Sequence, residues 1–198
     1  MKARIVKEKQ LYKGFRDLRE IDVEAPSLAQ PGEYAPAMNR EVVLFDDGAS
    51  LLVYIKPLDG FLMTEQFRVG PFMNNEENPF VLGLIAGMID KAPTPEDTLR
   101  AELYEEAGID GANLTFEKIA ATYPSSGAAS EKNYTYYTEI DFEPDAGIYG
   151  LPEEGEEIRT HVIPRQKAYE MLDSFEIISM PTCLALNWFR AVKEPHLA

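Results

Sequence analysis

The stretch from Thr94 to Ile109 reads as a helix that carries its own start and stop, and it is the most constraining feature of the chain. Thr94 can cap, Pro95 suits the first helical position, Asp97 sits where a capping-box acid belongs, and Gly108 can end the helix. At ~100° per residue, Glu106 lies about 40° and Glu105 about 60° from Glu102, so the three carboxylates fall within a face roughly 100° wide. Leu99 and Leu103 supply an apolar flank beside them. Hard divalent cations take oxygen ligands from one or two carboxylates and from substrate phosphates, which is chemistry such a face can support. Taken alone, the same pattern also describes a solvated acidic helix face, because like charges at i,i+4 cost only a few tenths of a kcal/mol.

The wider context favours the metal reading. The stretch Gly87 to Ile109 resembles the Nudix box, G-x5-E-x7-R-E-U-x-E-E-x-G-U, with Gly87, Glu102, Leu103, Glu105, Glu106, Gly108 and Ile109 in register. Two positions depart: Pro93 stands where the pattern has Glu, and Ala101 where it has Arg. The resemblance implies that Glu102 and Glu106 bind metal and that Glu105 serves catalysis. The missing Glu and Arg mainly pair to hold loop and helix together, so their loss weakens the scaffold that orients Glu105. Arg100 is a poor substitute, being rotated about 100° around the helix from position 101.

The similarity covers residues 10–195 and is to the ADP-ribose pyrophosphatase branch of the Nudix family. Arg40-Glu-Val-Val and Glu65-Gln-Phe-Arg68-Val-Gly resemble its substrate-side strands, and Leu84-Ile-Ala-Gly-Met-Ile-Asp90 its entry to the box. Tyr123-Pro-Ser-Ser-Gly-Ala-Ala-Ser-Glu131-Lys is a looser match to a segment nearer S-P-G-G-x-S-E-R, departing at Ala128 and Lys132. Gly147-Ile-Tyr-Gly-Leu-Pro-Glu-Glu154-Gly-Glu156-Glu-Ile-Arg-Thr-His161 matches the branch's mobile acidic loop. Without the resemblance, that acidic run is a turn-forming surface loop.

Several expectations follow from the resemblance. The carbonyl of Ala86 and the carboxylate of Glu156 complete a metal shell with Glu102 and Glu106, and the ion is Mg²⁺, with Mn²⁺ as a substitute. Glu154 is the general base. Arg68 binds the diphosphate, Arg40 and either Phe15 or Arg16 hold the nucleotide end, and Glu131 contacts substrate. Phe15 also has the plain reading of ordinary packing beside Gly14. The branch implies a homodimer with N-terminal strands packed across it. The lead activity is hydrolysis of ADP-ribose to AMP and ribose 5-phosphate. Another nucleotide sugar such as GDP-mannose remains an alternative, as does a nucleotide-binding module with little turnover, which Pro93 and Ala101 favour.

Composition bounds the remaining classes. The 198 residues are 45% hydrophobic without a long apolar run, which implies one domain with a small N-terminal extension and no membrane span. The charged start Met1-Lys-Ala-Arg lacks the apolar stretch of a signal peptide. One cysteine, Cys183, cannot form an internal disulfide, which fits a reducing, cytoplasmic compartment, and its helical apolar setting reads as core. Only His161 and His196 are present, which argues against zinc, and His161 beside Val162 reads as a strand residue. A net charge of −15 without a basic tract argues against nucleic acid as a partner. A phosphorylated small molecule remains possible, because a divalent cation bridges carboxylate and phosphate.

Short β-rich runs predict strands over 4–9, 18–23, 40–45, 50–55, 61–67, 115–123 and 134–142, and helices are predicted over 165–172, following Pro164, and 181–192. Asp46-Asp-Gly and Leu58-Asp-Gly read as hairpin turns. The proline-containing stretch Ala25 to Ala37 interrupts the pattern. The expected organisation is an N-terminal β extension, residues 1–38, and a main domain, residues 39–198. The expected class is mixed α/β, with helices on both faces of mixed sheets. The resemblance implies the Nudix α/β/α sandwich.

Overall fold

A computed structural model describes residues 1–90 and 94–197, and Pro93 lies outside them. The chain divides into two compact units, one of residues 1–47 with 123–132 and the other of residues 48–122 with 133–198.

In the first unit β1 (Arg4–Lys13), β2 (Asp17–Glu24) and β3 (Met38–Leu44) form an antiparallel meander in that order. Charged side chains bind across its strands: Arg19 bridges Asp17 and Glu8 at 2.7 and 2.6 Å, and Arg4 pairs with Glu24 at 2.7 Å. The proline-containing stretch is a closed loop, because Ser27 N–H donates to Glu33 O at 2.8 Å and Ala35 N–H to Ala25 O at 2.9 Å. Segment 123–132 returns to β3, where Val43 N–H donates to Ala128 O at 2.9 Å and Ser130 N–H to Val43 O at 3.0 Å. No residue of this unit is buried.

The second unit is built on an eight-stranded mixed sheet. Its central path runs β10 (Ile148–Tyr149), β11 (Ile158–Pro164), β5 (Gly60–Phe67), β4 (Gly48–Ile55), β9 (Asn133–Ile140) and β8 (Glu117–Thr122). Off this path, β6 (Phe80–Gly83) pairs with β5, and β7 (Ile85–Met88) pairs with β4. Strand β4 is parallel to β9 and antiparallel to β5, and every one of its residues is buried, as expected of a strand covered on both faces.

Alternation along the strands separates two cores. Leu52, Tyr54, Phe61, Met63 and Tyr137 pack with Tyr169 of α3 (Arg165–Asp173) and Phe189 of α4 (Met180–Val192). Leu51, Val53, Ile55, Leu62 and Tyr136 pack with Leu99 and Leu103 of α2 (Pro95–Ala107). A sheet between α2 on one face and α3 with α4 on the other is the expected α/β/α sandwich. Cys183 packs against the α3/α4 core and its thiol donates to Ile177 O at 3.3 Å, in line with the core reading.

Two local expectations had different outcomes. The Leu58-Asp-Gly turn does join paired strands, with Asp59 left-handed at φ 43° and Ile55 facing Gly60. Asp46-Asp-Gly does not make a hairpin, since β3 pairs with β2 whereas β4 pairs with β5, β7 and β9. Asp47 instead accepts the Lys132 N–H at 3.1 Å, so its side chain is used within the first unit. Strands β6, β7 and β10 and the helix α1 (Val69–Met73) are too short to show a period in sequence.

Candidate active site

Helix α2 starts as its sequence predicts. Thr94 Oγ1 accepts the Asp97 N–H at 3.1 Å and donates to the Asp97 carboxylate at 2.6 Å, with Pro95 in the first turn. Gly108 ends it with φ 67°, a left-handed conformation that costs glycine little. Leu99 and Leu103 are completely buried, and this docking fixes how the helix is rotated. Glu102 and Glu105 are therefore half-buried, and Glu106 is only 2% exposed.

The neighbouring strand completes this surface. Ala86 of β7 donates its N–H to Glu106 Oε2 at 3.1 Å. Gly87 gives Glu102 its room, because a Cβ there would overlap Glu102 Oε1. Burial pushes the Glu106 carboxyl up to about 8, and the adjacent Glu102 charge adds to this. The Ala86 N–H and the Arg68 guanidinium pull the other way, while Glu156 pushes upward. Ala86, Glu102, Glu106, Arg68 and Glu156 therefore share one electrostatic environment.

A carboxylate withdrawn from water beside a second carboxylate is costly unless a positive charge joins them. Among the described residues no group of three or more His, Cys, Asp or Glu could hold a metal ion. Two carboxylates with substrate oxygens nonetheless fit a hard divalent ion, which commonly uses one or two protein carboxylates.

The acidic loop meets the C-terminal end of α2. Residues Pro152–Glu154 make a short 3-10 turn, closed by Gly155 at φ 73°. Glu156 N–H donates to Leu151 O at 3.1 Å, and Gly150 N–H donates to Glu105 O at 3.2 Å. This last bond was not visible in the sequence, since it depends on the two segments meeting. Arg68 is exposed at the end of β5, where it forms the N-cap of α1. Arg100 donates to the carbonyls of Gly111 and Leu114 and stacks on Phe116 at 4.5 Å, so it is used away from the carboxylates, and Ala101 is exposed.

The remaining candidates lie in the first unit. Phe15 occupies the β1–β2 turn, is 81% exposed and lies 4.5 Å beneath the Arg16 guanidinium, so core packing does not account for it. Arg16 also stacks on Phe45 at 4.4 Å. Arg40 is exposed on β3 and donates to Asn39 O at 2.7 Å, and Glu131 is half-buried in segment 123–132.

A cavity of about 270 Å³ lies on the sheet face opposite α2, lined by Glu65, Asn78, Phe80, Ile148, Glu157 and Arg159. Several of its polar groups are already engaged: Glu65 binds Arg159 at 3.4 Å and His161 at 3.1 Å, and Asn78 accepts the Phe80 N–H at 3.1 Å. His161 is thus a strand residue with an acidic partner, on β11.

No family model matches the chain. The chain is 32% identical over 188 residues to an ADP-ribose pyrophosphatase of Haemophilus influenzae, covering 94% of this chain and 85% of that protein. The chain belongs to the ADP-ribose pyrophosphatase family. Another relative, the ADP-ribose pyrophosphatase of Escherichia coli K12, is 29% identical, with 94% of this chain and 87% of that protein covered. A GDP-mannose pyrophosphatase of Salmonella choleraesuis is 30% identical, with 94% of each chain covered. Among solved structures, an ADP compounds hydrolase superposes with a TM-score of 0.68 at 16% identity, covering 98% of this chain and 97% of that one. Membership in the ADP-ribose pyrophosphatase family makes this chain a hydrolase of the Nudix type, with the fold class its sequence implied. Among the described residues no helix is long and apolar enough to cross a membrane.

Proposed function

We propose that this protein hydrolyses the diphosphate of ADP-ribose, releasing AMP and ribose 5-phosphate. The observation that carries the reading is Glu106, which is 2% exposed, adjoins Glu102 and accepts a hydrogen bond from β7. The relatives supply the substrate class. Glu102, Glu106, Glu156 and the Ala86 carbonyl would hold Mg²⁺, which Mn²⁺ could replace. When bound, the cation polarises the diphosphate and makes an attacking water more acidic.

The protein's own groups do the rest. Glu154 removes a proton from the attacking water, Glu105 assists from the same helix face as the ligands, and Arg68 forks two hydrogen bonds onto the phosphates. Arg40 and Phe15 hold the nucleoside end, with the exposed Phe15 ring offering a face for a base, and Glu131 contacts the substrate. The state proposed is a cytoplasmic homodimer. Ile5, Val6 and Tyr12 of β1 are each more than half exposed, which suits packing against a second chain.

Mg²⁺-dependent release of AMP, followed by chromatography with Glu106→Gln as the blank, tests the reading. Product that forms equally with the variant or without the cation would refute it. The GDP-mannose relative supports a second reading, in which that nucleotide sugar is the preferred substrate. Comparing kcat/KM for the two substrates decides between them.

A further inference from the structure

We propose that Tyr149 is a positioning residue that fastens the acidic loop to the C-terminal end of the carboxylate helix, and so sets where Glu156 stands relative to Glu102 and Glu106. This rests on the diphosphatase reading above. The Tyr149 ring lies over the end of α2: a Cβ on Gly108 would come within 3.1 Å of its Cε1. Its other edge faces Gly147, where a Cβ would come within 2.9 Å of Cε2, and its hydroxyl donates to Asp145 O at 3.2 Å. The ring fits because both contact positions are glycines.

The next residue passes this contact into the loop. Gly150 has φ 101° and donates its N–H to the Glu105 carbonyl at 3.2 Å. Glu105 is in the last turn of α2, whose carbonyls lack partners within the helix. Gly108 N–H satisfies Tyr104 O and Ile109 N–H satisfies Leu103 O, so the acidic loop supplies the donor for Glu105. Gly150 also touches the far limb of the loop, since a Cβ there would lie 3.0 Å from Glu156 O. A continuous path therefore runs from Gly108 through Tyr149 and Gly150 to the Glu156 backbone. The base of the loop is separately closed by the β10–β11 pair and by Thr160 N–H to Gly147 O at 3.0 Å. Loss of the Tyr149 contact should therefore free the loop without opening the sheet. Residues that orient metal ligands typically change metal affinity or activity by about 10- to 100-fold.

The experiment compares wild type, Tyr149→Phe, Tyr149→Ala and Gly150→Ala by hydrogen exchange, Mn²⁺ titration and ADP-ribose turnover. Thermal unfolding confirms that each variant is folded. Tyr149→Ala should speed exchange at residues 150–157, weaken Mn²⁺ binding about tenfold or more and lower kcat similarly. KM for ADP-ribose should change less. Tyr149→Phe keeps the ring and should restore all three values, and Gly150→Ala should reproduce the alanine effects by straining the turn. In a Glu156→Gln background, Tyr149→Ala should add little, because the ligand it positions is gone. The proposal is overturned if exchange of the loop is unchanged, or if exchange rises while Mn²⁺ affinity and kcat both stay within about twofold. A wild type that binds Mn²⁺ but turns over no ADP-ribose would count against the diphosphatase reading alone, with exchange and Mn²⁺ affinity still deciding the role of Tyr149.

Discussion

Strands β1 and β4 have similar lengths but opposite surroundings: β1 is exposed at every position, whereas β4 is buried at every position. The first is held by cross-strand hydrogen bonds and surface ion pairs, and the second by two apolar cores. All residues of both cores belong to the second unit, as do the carboxylates of α2. Packing energy and the acidic site thus share a scaffold, while the nucleoside contacts proposed at Phe15 and Arg40 sit on a sheet whose strands have no buried residue. A rigid setting suits groups whose work depends on position, and an exposed setting suits groups that wait for a ligand or a second chain.

The contrast is open to attack first through turnover. Glu154→Gln is expected to lower kcat by about 10²- to 10⁴-fold with an unchanged melting temperature, as removal of a general base typically does. Phe15→Ala should act mainly on KM, by about tenfold or less, the scale of one lost stacking contact at about 1 kcal/mol. Steady-state kinetics on both variants checks this, and a kcat loss at Phe15 equal to that at Glu154 would erase the division of labour.

Packing provides the next test. Leu103→Ala removes a completely buried side chain and should destabilise the protein by about 2–5 kcal/mol in denaturant unfolding. Ile5→Ala, at a position 56% exposed in the single chain, should fall within about 0.5 kcal/mol where the chain stands alone, and cost more where a second copy covers β1 as proposed above. Comparable losses would mean that β1 is covered in solution, and a concentration-dependent melting temperature would then point to a second copy.

Burial at Glu106 also makes stability depend on pH. Its carboxyl is raised from 4.5 in an unstructured setting to about 8 in the fold, so the unfolded chain releases this proton first. Metal-free protein should therefore lose stability as pH rises from about 4.5 to 8. The change from this group is at most about 5 kcal/mol, at about 1.4 kcal/mol for each pH unit. Melting temperatures across that window should fall, and Glu106→Gln should flatten the decline. Added Mg²⁺ should recover stability at the upper end by binding the ionised form. A melting curve that is flat with pH and indifferent to Mg²⁺ would remove the case for a metal at this helix.

The smallest effect is expected at Arg19, which bridges Asp17 and Glu8 across β1 and β2 with its side chain about one-third exposed. Arg19→Ala should lower the melting temperature only slightly, and by less in high salt, as loss of a surface pair usually does. A larger loss would show that ion pairing does for the first unit what apolar packing does for the second.

Residues close together in the chain settle helix limits, helix faces and strand runs among themselves. Thr94, Pro95 and Gly108 delimit a helix, 3.6-residue geometry sets Glu102, Glu105 and Glu106 on one face, and the β-rich runs Ser50 to Ile55 and Phe61 to Phe67 make strands. The consequences of distant segments meeting emerge in the fold alone. Docking of Leu99 and Leu103 withdraws Glu106 from water and raises its pKa. The glycine at 87 admits Glu102, and the Glu105 carbonyl finds its donor forty-five residues later at Gly150. Asp46-Asp-Gly, which looks like a hairpin turn, joins strands of different sheets because β4 has its partners in β5, β7 and β9. Propensity and period act over one or two turns of chain, whereas burial, electrostatic coupling and strand pairing depend on which distant surfaces exclude water together.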